Sequence, residues 1–190
     1  MEQFYTFIEQ LSTFTKEEKE AISQVLMYKK LKQHTLFVSE GKKCNYMAFI
    51  LSGYMRTFYM DEDDREITSD FSLQNSFTSA WVGFYTRMAS LESIEAITDC
   101  EVVLISYDAL QKLYATSFGM NVMARKVLEN ACIQRDLRVK KMISLDGLDR
   151  YQWFMKEFGD IYKVAQLQHI ASFLGINPET LSRIRRKIIS

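Results

Sequence analysis

The hydrophobic period of this chain changes twice, and those changes limit the layers it can build. Over residues 1–28 apolar side chains recur every three to four positions: Phe4, Phe7, Ile8 and Leu11, then, after Thr15 as a cap, Ala21, Ile22, Val25 and Leu26. Two leading helices are expected, the second running from Lys16 to Tyr28. From Lys30 to about Ser106 the period falls towards two. Strand-like pieces stand at Thr35 to Val38, Met47 to Leu51, Tyr54 to Tyr59, Glu66 to Phe71 and Glu101 to Ile105. Glu40-Gly41, Ser52-Gly53 and the Asp61-Glu62-Asp63-Asp64 run supply the turns. Many short strands with regular turns imply a β-roll or barrel with an interior that can hold a small ligand.

Beyond Ser106 the helical period returns. Ser117 to Leu145 reads as one long helix, with no proline and a single early glycine, Gly119. Met120, Met123, Ala124, Val127, Leu128, Ala131 and Leu137 give it an apolar seam, interrupted by Gln134 and flanked by Arg125, Lys126, Arg135, Arg138, Lys140 and Lys141. A stripe this long is costly to leave in water, so it is expected to pair with its copy in a homodimer, the alternative being that it packs on its own β domain. Gly147 and Asp149 mark a boundary, and Leu148, Tyr151, Phe154, Met155 and Phe158 open a compact helical domain. The expected class is therefore α+β in three parts: a β-roll domain over residues 1–116, a central helix over 117–145 and a small helical domain over 146–190.

Composition removes several functions. The 190 residues are 47% hydrophobic and 25% charged, enough for a real core. The apolar runs are as short as Ala48-Phe49-Ile50-Leu51, and the MEQFYTFIEQ start lacks a basic region and an apolar core. A cytoplasmic protein with no membrane partner is expected. Cys44, Cys100 and Cys132 show no C-x-x-C spacing, so no disulfide framework or zinc site is expected. No nucleophile elbow, phosphate-cradling glycine loop or H-E-x-x-H is present, and His34 and His169 are the only histidines. Neither an enzyme nor a metal or cofactor site is expected. The formal net charge is zero, yet from residue 163 onward Lys163, Arg183, Arg185, Arg186 and Lys187 face Glu179 alone, which makes that segment +4 and the remainder −4. A basic end on an acidic body points to nucleic acid.

The segment AQLQHIASFLGINPETLSRIRRK, residues 165–187, supplies the motif. Leu167, Ile170, Ala171 and Leu174 follow the i, i+3, i+4, i+7 template, and Gly175 offers the positive φ that ends a helix. Asn177 is a good N-cap and Pro178 suits the first position of the next helix. At ~100° per residue with Glu179 at zero, Arg183 falls near about 40° and Arg186 near about −20°, while Leu181, Ile184 and Ile188 cluster at about 140–200°. Thr180 and Lys187 occupy one flank, Ser182 and Arg185 the other. A helix entering a DNA groove needs this division: central side chains meet base edges, flanking ones meet phosphates. Helix, glycine turn and capped polar-faced helix within so few residues form a helix-turn-helix.

The chain resembles the Crp/Fnr family of regulators, in particular a branch common in Bacteroidetes-type bacteria. The matching stretches are FILSGYMR (residues 49–56), DCEVVLISY (99–107) and HIASFLGINPETLSRIRRK (169–187). The resemblance implies a cyclic-nucleotide-binding-like β-roll (a double-stranded β-helix), a long dimerisation helix and a C-terminal helix-turn-helix. It also implies that Glu179 and Arg183 read bases, that Thr180 and Ser182 face the backbone, and that a homodimer binds a two-fold-symmetric operator on duplex DNA. RNA polymerase is admitted as a further partner. Pro178 replaces the Arg or Ser usual at the start of that helix, and no residues for the family's β-wing follow it before Ser190. A cyclic-nucleotide-sensor-like module acting through a protein partner, without DNA contact, is the competing reading.

The same resemblance places a G-E pair and an R-S or R-T pair around a bound cyclic nucleotide. Here those positions fall near Gln74-Asn75-Ser76 and at Ser90-Leu91-Glu92, with no cation and an added acid. A buried phosphodiester needs a guanidinium or amide donors, so cyclic AMP binding in the usual mode is not expected, unless Arg87 turns inward. Trp81, Phe84, Tyr85 and Phe77 are either core or the lining of a pocket for an unknown small-molecule effector. Scattered cysteines and two histidines give no support for the iron–sulfur or haem sensing seen elsewhere in the family.

Overall fold

A computed structural model describes residues 1–189, with side chains to Ile188; Ser190, the end of the expected third part, lies outside the described residues. The leading helices are α1 (Glu2–Leu11) and α2 (Lys16–Val25). Thr15 starts α2 through a capping box: its Oγ1 accepts from the Glu18 amide at 3.1 Å, and the Glu18 carboxylate accepts from the Thr15 amide at 2.8 Å. Expected to continue to Tyr28, α2 instead stops at Val25. Strand β1 (Met27–Leu31) takes the next residues because Met27 to Leu31 pair with Leu104 to Cys100, and a complete ladder outweighs local helical periodicity.

The roll is completed by β2 (Leu36–Val38), β3 (Tyr46–Ser52), β4 (Met55–Met60), β5 (Glu66–Ser72), β6 (Phe77–Thr78), β7 (Ser93–Ala96) and β8 (Cys100–Ser106). They form two antiparallel four-stranded sheets, ordered β1-β8-β3-β6 and β2-β7-β4-β5. The short β6 and β7 and the helix α3 (Trp81–Thr86) between them carry no readable period in the sequence. Gly53 turns β3 into β4 at φ +87°, where a Cβ would stand 2.4 Å from the Asp99 carbonyl oxygen. Only glycine fits that turn of the FILSGYMR stretch.

Helices α4 (Tyr107–Thr116) and α5 (Phe118–Ser144) follow, with Ser106 and Ser117 as their caps. The expected long helix is present with the expected limits. Its apolar stripe, however, divides: Met120 and Met123 are buried in the roll's core and Val127 packs against it, whereas Leu128 and Leu137 are exposed, as are Ile133, Val139 and Ile143, which lie outside the expected stripe. The small domain contains α6 (Gly147–Glu157), α7 (Ile161–Val164), α8 (Leu167–Leu174) and α9 (Pro178–Ile189).

Two apolar cores result. The first fills the roll and the helices α1, α2, α4 and the start of α5 around Phe49, Ile50, Met55, Phe84 and Ile94. The second joins Tyr151, Phe154, Ile161, Ile170, Phe173, Leu174 and Leu181 to Phe71 and Ile97 of the roll. Phe71, on β5, stands 5.1 Å from Phe173 and 6.0 Å from Phe154, ring centre to ring centre. Alongside, the Thr68 amide of β5 donates to Ser172 Oγ of α8 at 2.8 Å. Among the described residues no helix is long and apolar enough to cross a membrane, and no group of three or more His, Cys, Asp or Glu could hold a metal ion.

Candidate nucleic-acid interface

The segment 165–187 folds as two helices about one turn. Gly175 sits at φ +64°, ψ 35°; its amide donates to the Ser172 carbonyl and that of Ile176 to the Ala171 carbonyl, both at 3.1 Å. This double closure is the Schellman end, which satisfies carbonyls that the helix leaves unpaired. Arg150 of α6 fixes the turn from outside, with Nη1 donating to the Leu174 carbonyl and Nε to the Leu145 carbonyl, both at 2.9 Å. The guanidinium thus joins the end of α5 to the end of α8. No sequence pattern marks it, because both partners are backbone oxygens. Asn177 Oδ1 accepts from the Thr180 amide at 2.8 Å and starts α9, where Pro178 occupies a position whose amide has no helical partner.

The buried side of α9 is set by Leu181, which is fully buried, and by half-buried Ile184; Ile188, expected on the same apolar face, is exposed. Opposite them, Pro178, Glu179, Ser182, Arg183 and Arg186 line one open depression. Four residues expected to touch DNA are therefore brought together: Glu179, Ser182, Arg183 and Arg186. Thr180 adjoins them, its hydroxyl accepting from Arg183 Nη2 at 3.4 Å. Arg185 is placed differently. Its guanidinium lies 4.8 Å from the ring centre of Tyr162 and is half-buried on the other flank, while Lys187 is exposed near the end of α9. The depression thus offers bidentate donors, a carboxylate acceptor and a hydroxyl on one rigid helix, the groups that read base edges and phosphates.

The residues considered for an effector do not form one site. Gln74 and Asn75 are exposed in the turn between β5 and β6, and Asn75 Oδ1 accepts from Gln3 Nε2 of α1. Phe84 is fully buried, edge-on to Tyr107. Trp81 and Tyr85 stack on each other and, with Phe77, border a small apolar cavity under α1, α2, α4 and α5. Its volume is about 30 Å³. Burial raises the Tyr85 and Tyr114 hydroxyls above their ordinary range, so both stay neutral. Arg87 is held by backbone and side-chain acceptors: it donates to the carbonyls of Cys44 at 2.7 Å and Phe84 at 3.1 Å and to Asn45 Oδ1 at 2.9 Å, and lies over Tyr107. Ser90 is buried and donates to the Glu92 carbonyl at 2.6 Å.

The cation buried beside β5 is Arg56, the last residue of FILSGYMR. It is 1% exposed, donates to Glu66 at 2.7 Å and to Glu95 at 2.8 Å, and sits over the Phe58 ring. Sequence reading missed it, since an arginine in a strand ordinarily faces solvent.

Residues 28–117 match the cyclic nucleotide-binding domain family. The CRP-like protein Clp of Xanthomonas oryzae is 24% identical over 166 residues, which covers 78% of this chain and 71% of that protein. Among solved structures, the c-di-GMP-responsive global regulator CLP of Xanthomonas campestris superposes with a TM-score of 0.70 at 17% identity, covering 92% of this chain and 91% of that one. A chain from Eubacterium rectale assigned to the crp/fnr family gives a TM-score of 0.71 at 18% identity, covering 91% and 82%. The chain is thus similar in fold to Crp/Fnr-type regulators over most of its length, and residues 28–117 carry the match to the cyclic nucleotide-binding domain family.

Proposed function

We propose that this chain is a transcription regulator of the Crp/Fnr type that reads duplex DNA sequence-specifically through α9, as a homodimer whose two recognition helices enter successive major grooves about 34 Å apart. The observation that carries the reading is the outward face of Glu179, Ser182, Arg183 and Arg186, on a helix whose opposite side is fixed by buried Leu181. The exposed apolar side chains of α5, Leu128, Ile133 and Leu137, supply the surface for the second copy. Selection of bound duplexes from a random pool, with and without cyclic AMP, should enrich a two-fold-symmetric motif. On that motif Arg183→Ala should cost about 1–3 kcal/mol and blur the preference at one position, whereas Lys187→Ala should weaken all sequences alike. Equal losses for Arg183→Ala on selected and random DNA would remove its reading role. No enrichment under either condition would favour the module that acts without DNA.

The roll is further proposed not to take cyclic AMP in the family's usual mode. Arg87 is committed to two carbonyls and Asn45, and Glu92 accepts from Ser69 where a phosphate-binding cation would be needed. Saturable micromolar binding of cyclic AMP in titration calorimetry, lost in Arg87→Ala, would overturn this.

A further inference from the structure

Both histidines of the chain, 135 positions apart, converge on one charged cluster between the roll and the helix-turn-helix, in which Arg56 and His169 are buried, Glu95 is half-buried, and His34 and Glu66 are open to solvent. Arg56 of β4 binds Glu66 of β5 and Glu95 of β7. His34, in the β1–β2 turn, contacts Glu95 through Nδ1 at 2.8 Å, and does so from a left-handed backbone (φ 67°) that non-glycine residues rarely keep. His169, on α8, approaches Glu66 with Nε2 at 3.6 Å; it is 7% exposed, and its Nδ1 has no hydrogen-bond partner among the described residues. Three residues further along α8, Ser172 takes the Thr68 amide and donates to the Glu66 carbonyl.

We propose that this cluster is an acid-sensitive latch: it holds α8 of the helix-turn-helix against β5 at neutral pH, and protonation of His169 releases it. The latch goes beyond DNA reading and does not depend on it. Docking removes His169 from water into a place where its imidazolium is poorly served. Burial pushes its pKa below the ordinary 6.5, and the Arg56 charge pushes in the same direction. Glu66 and Glu95 oppose them, but both carboxylates are already engaged by Arg56 at 2.7 and 2.8 Å, and the imidazole stands beyond hydrogen-bond distance. His34 is the other titratable neighbour and also disfavours the charge. From α5 and α6, Arg138 and Arg150 reach the Phe173 and Leu174 carbonyls at the far end of α8.

The sign follows from linkage. The undocked imidazole binds its proton more readily than the docked one, so docking is fully favoured above the undocked pKa, near 6.5, and is lost progressively as pH falls below it. Each unit of depression corresponds to about a tenfold change in the docking equilibrium.

With two histidines in the 190-residue chain, a carbon–proton NMR spectrum contains two imidazole Cε1 cross-peaks, and each can be titrated separately. The His169 midpoint should lie below 6.5, and the Thr68 and Ser172 amide signals should move with that same midpoint. Hydrogen exchange at the Thr68 amide, corrected for intrinsic rate, should speed by about tenfold on acidification through that range for about one unit of depression. In His169→Gln both amides should stay put over the same pH range. Glu66→Gln, which leaves the imidazole in place and removes a carboxylate favouring its charge, should shift the transition to more acid pH. A Thr68 amide that stays fixed while His169 titrates, or an unchanged transition in His169→Gln, would overturn the latch.

Discussion

The two cores of this molecule are built on different terms. The roll's core lies between two sheets whose strands pair antiparallel with one another, and the helices that cap it are drawn from its own flanking sequence. The core of the helix-turn-helix is smaller and borrows Phe71 and Ile97 from the roll. A small domain buries too little apolar surface alone, so its stability depends on the face it docks against. The difference teaches that the helix-turn-helix unit is ordered partly by its contact with the roll, so a change at that contact can reach both. Each core also contains one of the two tryptophans, Trp81 stacked on Tyr85 in the first and Trp153 stacked on Phe173 in the second. Single-tryptophan variants therefore report each core by itself.

The largest effect is expected from Phe154→Ala, which empties the centre of the second core and should cost about 3–5 kcal/mol. Urea unfolding followed by Trp153 fluorescence should show it while the Trp81 transition holds. Phe71→Ala sharpens the comparison, because the residue belongs to β5 of the roll yet packs on Phe154, Phe158 and Phe173. It should lower the Trp153 transition by about 3 kcal/mol and leave the Trp81 transition nearly unchanged. If the Trp81 transition fell as far, the division into two cores would be wrong.

How far the sequence reached follows the same line. The long helix was legible to within a residue at each end, because Ser117 caps it and nothing inside breaks it. The helix-turn-helix was legible as well, since glycine, asparagine and proline each act within a few residues of the turn. Strand β1 was not, because Met27 and Tyr28 continue a helical period and become strand only through a partner more than seventy positions away. Nor was the Arg56 cluster, whose members are neighbours only after β4, β5 and β7 have paired. Local chemistry writes turns and caps into the sequence; long-range burial does not show until the chain is folded.

A smaller effect belongs to the turn itself. Gly175→Ala places a side chain at φ +64° and 3.3 Å from Arg150 Nη1, and should cost about 1–2 kcal/mol. Because the same turn sets the angle between α8 and α9, affinity for a selected duplex in fluorescence anisotropy should fall beyond what the Trp153 unfolding curve explains. Loss of stability with affinity intact would show that the turn is structural only.

The smallest change separates docking from folding by sign. Ser172 lies on α8 and faces β5, and alanine is the better helix former by about 0.5 kcal/mol, so Ser172→Ala should not harm the helix. What it removes is the acceptor for the Thr68 amide at 2.8 Å, in a residue 1% exposed, and an unpaired buried amide costs about 1–3 kcal/mol. The two effects act on different equilibria. Exchange at the Thr68 amide should quicken by about tenfold, which corresponds to about 1.4 kcal/mol of docking free energy, while amides inside α8 keep or gain protection. If α8 and Thr68 lost protection together, docking and folding of the small domain would be one event, and the second core would have no stability apart from the roll.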